Sequence, residues 1–318
     1  MTRLLIDTWD AEYGSSFEAF DVEADAVVVA ARVVEEGPWA PIAGAATNLP
    51  RRIGFLDGAR RVELRLFAED GGTIAPALAG SWGVGLAWGG ERSEIGAIRT
   101  GRSLVVGGGL THADLRMTIG KARIDFTAKC VMGTMPADPL QGLQNAMREA
   151  EAALAAELMT ADAPDLLVLD GPLSYFAGEG LVVGMIKRQN RPYFRPDQAA
   201  ILGLLGVGER TPIFLIGDQR LERFSWYLRI GPRRPIDGTM TGIVRLETAT
   251  AAGLDAARRL ADLTAAVLPR FATEWGKDPR APQNLYPVAQ LERELHHRLG
   301  DRMILRRAIE SALWGVNG

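Results

Sequence analysis

The sequence predicts a mixed α/β fold on three observations: two short apolar runs that each end in Asp-Gly, an alternating apolar/polar stretch between them, and one long segment with apolar residues at near-helical spacing. The two runs are Ile53-Gly54-Phe55-Leu56-Asp57-Gly58-Ala59 and Leu166-Leu167-Val168-Leu169-Asp170-Gly171-Pro172. Consecutive apolar residues closed by Asp-Gly read as a buried strand whose last residue emerges beside a turn. The 318 residues are 47% hydrophobic and 24% charged, which supplies material for a large core. A net charge of -3 argues against an overall basic coat, yet leaves local basic fields open to a polyanionic partner. Cys130 is the sole cysteine, so intrachain disulfides and thiolate zinc clusters are excluded. No apolar stretch approaches the roughly 20 residues that span a bilayer, and Asp7 arrives too early for a signal peptide. The expectation is a soluble cytoplasmic protein.

The elements follow in order. An N-terminal extension includes the strand-like segment Ala26-Val27-Val28-Val29-Ala30-Ala31. From Ile53 to Trp88 the pattern predicts a meander of three strands, the first ending at Asp57, the second alternating through Arg61–Phe67, the third spanning Trp82–Trp88. A helix is predicted over Pro139–Met159, with Asp138 as N-cap, Pro139 at its first position and Leu140, Leu143, Met147, Leu154 and Leu158 near helical spacing. Pro164 separates it from the strand that ends in Asp170. Gly180–Ile186 and Ile213–Ile216 read as strands with a helix from Asp197 between them, and Phe224–Ile230 and Gly242–Glu247 as two more strands. Helices are predicted over roughly 252–269, 288–299 and 302–313. Without repeats, low-complexity tracts or a linker, one compact unit is expected.

The chemistry lies in the carboxylates. Read singly, each Asp simply opens an Asp-Gly turn. Two carboxylates at the ends of neighbouring strands repel unless one is protonated or a cation bridges them, so the duplicated pattern points to a divalent-ion site. Glu151 lies on the predicted helix 19 residues before Asp170, far enough to finish the helix, turn and run back along a strand; Glu149 and Glu157 are alternatives on the same helix. Asp57, Glu151 and Asp170 together form the oxygen-only shell that Mg²⁺ or Mn²⁺ prefers, as in metal-assisted phosphoryl transfer. Arg60 and Arg61 follow the first Asp-Gly, and Lys187, Arg188 and Arg191 follow the strand after the second. Such cations either hold phosphates or form surface ion pairs. Tyr175, Phe176, Tyr193 and Phe194 either stack on unpaired bases or pack in the core.

A family resemblance runs nearly end to end. It is carried by Ile6-Asp7-Thr8-Trp9-Asp10 with Tyr13-Gly14, Leu56-Asp57-Gly58-Ala59-Arg60-Arg61-Val62-Glu63, Gly80-Ser81-Trp82, Leu169-Asp170-Gly171-Pro172-Leu173, Ile186-Lys187-Arg188, Ser225-Trp226-Tyr227-Leu228-Arg229, Gly242-Ile243-Val244-Arg245-Leu246-Glu247 and Arg280-Ala281-Pro282-Gln283-Asn284-Leu285-Tyr286-Pro287. In this order the segments resemble bacterial NurA-domain nucleases, the partners of HerA-type hexameric ATPases.

The resemblance implies one NurA domain over 1–318: an N-terminal extension over 1–50, an RNase H-like mixed sheet flanked by helices over about 51–250, and C-terminal helices over about 251–318 that complete the site. It further implies a homodimer and a Mn²⁺- or Mg²⁺-dependent 5′-to-3′ DNA exonuclease, with single-strand endonuclease activity, that processes DNA ends with the ATPase. Asp57 and Asp170 match the family's Asp-Gly motifs, Glu151 its helical acidic residue, and Tyr286 its C-terminal tyrosine. The chain departs from the pattern where the family has a histidine eight residues after that tyrosine: here stands Glu294. Glu294 and His297 are three apart on one helix face, and either completes the site. Alternatively the segment is an ordinary amphipathic helix with Val288, Leu291, Leu295 and Leu299 inward and Glu294, His296 and His297 outward. The expected catalytic set is thus Asp57, Glu151, Asp170, Tyr286 and Glu294, the first three holding the metal, with Arg60, Lys187 and Arg188 on the substrate. Two other classes stay open, a non-catalytic adaptor of the same fold docked on the ATPase and a metal phosphohydrolase for small phosphorylated substrates.

Overall fold

Fourteen strands and six α-helices succeed one another in the computed structural model, which describes residues 2–7, 31–46, 48–173, 181–188, 193–194, 196–217 and 222–317. Three short strands come first: β1 (Arg3–Ile6), β2 (Arg32–Val33) and β3 (Ile42–Ala43). The long strands β4 (Ile53–Asp70), β5 (Thr73–Gly89) and β6 (Glu94–Val106) follow, then the hairpin β7 (Leu115–Ile119) and β8 (Ala122–Cys130). Helix α1 (Ala137–Ala161) leads into β9 (Leu166–Asp170) and β10 (Val182–Ile186). Next come α2 (Pro196–Ala199), α3 (Ile201–Leu204), β11 (Glu209–Arg210), β12 (Phe214–Ile216), β13 (Arg223–Arg229) and β14 (Ile243–Ala249). The chain closes with α4 (Leu254–Val267), α5 (Tyr286–Arg298) and α6 (Arg302–Asn317).

The sheet runs β2-β12-β13-β14-β10-β9-β4-β5-β6-β8-β7. The meander β4–β5–β6 is antiparallel, α1 crosses back over it, and β9 then pairs parallel to β4, with β10 parallel to β9. This is a mixed α/β architecture with helices on both faces, as the apolar patterns predict.

One boundary differs from expectation. The strand predicted to end at Asp57 continues unbroken to Asp70 and absorbs the separate strand expected over Arg61–Phe67. Asp-Gly makes no turn here because β5 keeps pairing with β4 from Ile53 through Asp70. What ends at the carboxylates is the neighbour on the other side: β9 pairs with β4 only as far as Leu56↔Leu169, and β1 takes up that edge only from Leu66. Asp57 therefore sits inside one strand where the next strand stops.

Alternation along β4 decides what each face carries. Phe55 packs in the core with α4, Ala59 lies against Leu291 and Leu295 of α5, and Leu56 faces Met147 and Leu154 of α1. Between Val62 and Leu64 the register shifts, a β-bulge at Glu63, after which Leu64, Leu66 and Ala68 pack with Ile309 and Leu313 of α6. The inserted residue exchanges the parity of the strand.

Several other expectations meet the structure. Asp138 sits in the first turn of α1 instead of capping it, and accepts the Met135 N–H at 2.7 Å. The helix expected from Asp197 is two four-residue helices, α2 and α3. Phe194 lies among Trp39, Phe214 and Tyr227 with ring centroids 4.7–5.3 Å apart, so it packs in the core and offers no face to a base. The Trp9–Tyr13 segment, residues 26–30 of the expected N-terminal strand, Tyr175, Phe176 and Arg191 lie outside the described residues. Among the described residues no helix is long and apolar enough to cross a membrane.

Candidate metal centre

Parallel pairing brings the two Asp-Gly aspartates together. Phe55↔Val168 and Leu56↔Leu169 are in register, which makes Asp57 and Asp170 the next pair along. Phe55 and Val168 share one cluster with α4, so by alternation Asp57 and Asp170 also point to the α4/α5 side of the sheet. From that side α5 delivers Glu292. One carboxylate oxygen each from Asp57, Asp170 and Glu292 lies within 4.8 Å of the others. Helix α5 comes this close because Gly85, opposite Asp57 on β5, has no side chain; a Cβ there would stand 2.9 Å from Leu291 Cδ1.

Asp57 is only 5% exposed. Its Oδ1 accepts the Gly58 N–H at 2.8 Å, and its buried Oδ2 has no hydrogen-bond partner. Burial is the largest influence on this carboxyl, followed by the Asp170 charge; with Glu292 and Glu151 adding, they push its pKa well above the usual carboxylate range, while Lys187 opposes them. A buried acceptor without a donor costs free energy, and a cation placed among these oxygens would relieve both the desolvation and the mutual repulsion. An oxygen-only donor set of three carboxylates suits a hard divalent cation. The residues fit a metal centre, and the misfit of Asp57 Oδ2 without one supports it.

The remaining predicted residues are placed as follows. Glu151 does not join the 4.8 Å shell. It reaches Gly58 from the α1 side, its Oε1 2.5 Å from where a Gly58 Cβ would stand, so it lies behind Asp57 and acts there through its field. Gly58 is glycine because that carboxylate and Met147 occupy its side-chain space. The competing Glu149 and Glu157 pair with Lys129 and Arg99 at the surface. Tyr286 opens α5 but turns away: its ring packs on Phe271 and its hydroxyl donates to the Gly90 carbonyl at 2.5 Å, beyond the Ile53↔Gly89 end of the ladder. Glu294 faces β6, where it pairs with Arg298 at 2.7 Å and lines an open cavity of about 570 Å³ with Ile95, Gly96, Ile98 and Thr100. Two residues along a helix rotate by about 200°, which is why Glu292 and Glu294 address different surroundings. His297 is exposed.

Among the predicted substrate cations, Lys187 is the one brought to the cluster. Its ammonium donates to Asp170 Oδ2 at 2.5 Å and to Asn284 Oδ1 at 2.7 Å. Arg60 bonds Gln144 on the α1 side, and Arg188 is exposed. Arg61 forms a bidentate pair with the buried Glu63 and donates to the Gly300 carbonyl at 3.0 Å, clamping the C-terminal end of α5.

Comparison with known proteins then bears on this geometry. The NurA domain profile matches residues 138–296, half of the chain. The chain belongs to the NurA family. The matched NurA segment carries Glu151, Asp170, Lys187 and Glu292, while Asp57 precedes it on β4. Among curated proteins no match is found. NurA domains are associated with nuclease chemistry, which places the chain with the hydrolases at that coarse level. Glu292 escaped the sequence reading, although the pattern holds a sign of it: Val288, Leu295 and Leu299 are buried on one stripe, and Glu292 falls in the gap between the first two, where helical spacing calls for another inward residue.

Proposed function

We propose that this chain is a divalent-metal-dependent DNA nuclease, a phosphodiester hydrolase with 5′-to-3′ exonuclease polarity that works with a HerA-type ATPase at DNA ends. The single observation that carries the reading is the buried Asp57, whose Oδ2 has no partner and which brings a carboxylate oxygen within 4.8 Å of two further carboxylates. Asp57, Asp170 and Glu292 would hold Mn²⁺ or Mg²⁺, and Glu151 would tune the shell from behind Gly58. A bound ion supplies Lewis-acid polarisation and lowers the pKa of its water.

The chain's own groups account for the rest. Asp57 and Asp170 are fixed by the rigid parallel ladder, and Glu292 by α5 packed on Gly85. Lys187, at the rim of the cluster, is placed to meet a phosphate once Asp170 turns to a cation. The sheet order β10-β9-β4-β5-β6, with carboxylates on the adjacent parallel strands β4 and β9, supports the RNase H-like interpretation and a single domain over 1–318. The ATPase partnership, the bacterial type and the homodimer rest on the family resemblance, and the cytoplasmic setting on the sequence pattern.

End-labelled single- and double-stranded DNA incubated with the protein and Mn²⁺ tests the reading. Shortened products that vanish in both Asp57→Ala and Asp170→Ala support it. Intact DNA with the wild-type chain overturns it, and retention of a HerA-type ATPase in the same preparation would then identify an adaptor.

A further inference from the structure

The two carboxylates nearest to Asp57 are joined to each other by a second route, through the segment between the 3-10 turn that follows α4 and the start of α5. Asp170 accepts from Lys187, and Lys187 donates onward to Asn284 Oδ1 at 2.7 Å. Asn284 Nδ2 donates to Asp278 Oδ2 at 2.7 Å. Asp278 accepts from Arg280, through the backbone N–H at 2.7 Å and Nε at 3.4 Å, and Arg280 grips Glu292 with both terminal nitrogens. Charge alternates along the whole path, carboxylate to ammonium, carboxylate to guanidinium to carboxylate, with one neutral residue in the middle.

That neutral residue must carry both a donor and an acceptor, and the amide of Asn284 supplies them from separate atoms. An ammonium offers donors alone and an ionised carboxylate acceptors alone, so the group between Lys187 and Asp278 must accept on one side and donate on the other. Asn284 is fully buried, and its backbone carbonyl is fixed by the Thr273 N–H at 2.8 Å, so its side chain has one place to be. Lys187 and Arg280 are thereby held against the same carboxylates that surround Asp57, as fixed positive charge supplied by the protein itself.

We propose that Lys187 and Arg280 are resident counter-charges for the metal carboxylates and that Asn284 is the positioning residue that couples them, so that an incoming divalent cation competes with Lys187 for Asp170. The proposal rests on the metal-centre reading and adds a sign to it. If Lys187 serves only to bind phosphate, its loss leaves metal affinity alone. If it competes with the metal, its loss tightens metal binding and leaves Asp57 and Asp170 of the metal-free protein without the Lys187 charge, while Glu292 keeps Arg280.

Calorimetric titration of the full chain with Mn²⁺, paired with melting curves in EDTA, separates the two. Lys187→Met is expected to bind Mn²⁺ on the order of tenfold more tightly, the scale of one close opposite-charge contact, and to melt lower in EDTA. Lys187→Arg, which keeps the charge, is expected to stay near wild type. Asn284→Ala is expected to tighten Mn²⁺ binding about threefold in the wild-type background and to have no further effect in the Lys187→Met background, as residues acting through one another show. Unchanged or weaker Mn²⁺ binding by Lys187→Met overturns the proposal, as do equal effects of Asn284→Ala in both backgrounds or a wild-type chain that takes up no Mn²⁺. DNA cutting by the wild type without this coupling leaves the nuclease standing and removes only the counter-charge inference; coupling without cutting does the reverse.

Discussion

Helices α1 and α5 lie on opposite faces of the same stretch of β4, and each brings a glutamate toward Asp57 by a different physical route. Glu151 arrives through missing volume: Gly58 leaves the space its carboxylate fills. Glu292 arrives through held charge, with Arg280 gripping its carboxylate and Arg61 anchoring the far end of its helix on the Gly300 carbonyl. Glu151 reaches Gly58 because no Cβ stands in its way. A group gripped by both terminal nitrogens of a guanidinium is placed closely, because two parallel hydrogen bonds fix its plane as well as its position. The difference suggests that Glu292 belongs to the inner shell and Glu151 to the outer one.

The largest effect should fall on the residue common to both helices. Asp57→Asn is expected to abolish Mn²⁺-dependent DNA cleavage, a loss of about 10³-fold or more on the scale of losing a metal ligand. The same change should raise the melting temperature in EDTA, because an amide removes a carboxylate that burial and Asp170 oppose ionising. The sign follows from a folded pKa raised above the unfolded value near 3.8: the contribution of Asp57 to stability is complete below that value and is lost as pH rises through the folded pKa. Melting curves of the metal-free wild type and of Asp57→Asn should therefore diverge as pH increases, and parallel curves would contradict the burial argument.

Next in size is the contrast between the two glutamates. Glu292→Gln should weaken Mn²⁺ binding and cleavage by about 10²-fold or more and Glu151→Gln by about tenfold, the lower end of the range seen for groups that support metal ligands. A reversed order in titration and cleavage assays would exchange their shells.

The anchor of α5 should show in stability. Arg61→Met leaves Glu63, whose side chain is wholly buried, without its bidentate partner, and is expected to cost about 3 kcal/mol in a denaturant melt. Loss of cleavage should follow as Glu292 drifts.

Smallest is Gly58→Ala. Its Cβ would stand 2.5 Å from Glu151 Oε1 and 3.0 Å from both Cγ and Sδ of the buried Met147, so both side chains must shift and stability should fall by about 1–2 kcal/mol while activity falls to the level of Glu151→Gln. A melt that collapses instead would mean that Glu151 is locked in place and the two helices are alike.

Much of this was legible in the chain. The strand β9, the helix α1 and the C-terminal helices announced themselves because their apolar spacing is dense, and the duplicated Leu-Asp-Gly pointed to the two aspartates that the sheet pairs. The course of β4 was not legible, since Asp-Gly breaks a strand by local preference and only the continuing ladder with β5 overrides it. Strands β6 and β8 escaped notice because their residues are largely exposed or lack a clean alternation, and β7 because its alternation Leu115-Arg116-Met117-Thr118-Ile119 lasts only five residues. Glu294 was chosen by its distance from Tyr286, whereas the site selects by helix phase, and Glu292 has the phase. Asn284 and Arg280 carried no signal of their own, as their importance comes from partners that are distant in sequence.

The bulge at Glu63 has a consequence for how this chain tolerates length changes. Upstream of it odd-numbered positions of β4 look toward α5, and downstream even-numbered ones look toward α6, so two stretches out of step are spliced by a single residue. Deleting that residue would join Val62 directly to Leu64 and restore an unbroken alternation, so Leu64, Leu66 and Ala68 would keep their seat against α6 and the loss would fall on the Arg61 pair that Glu63 makes. A one-residue loss at the two-residue Gly71-Gly72 hairpin tip would instead leave a turn too short to close on Asp70↔Thr73 and would shift β4 against β5.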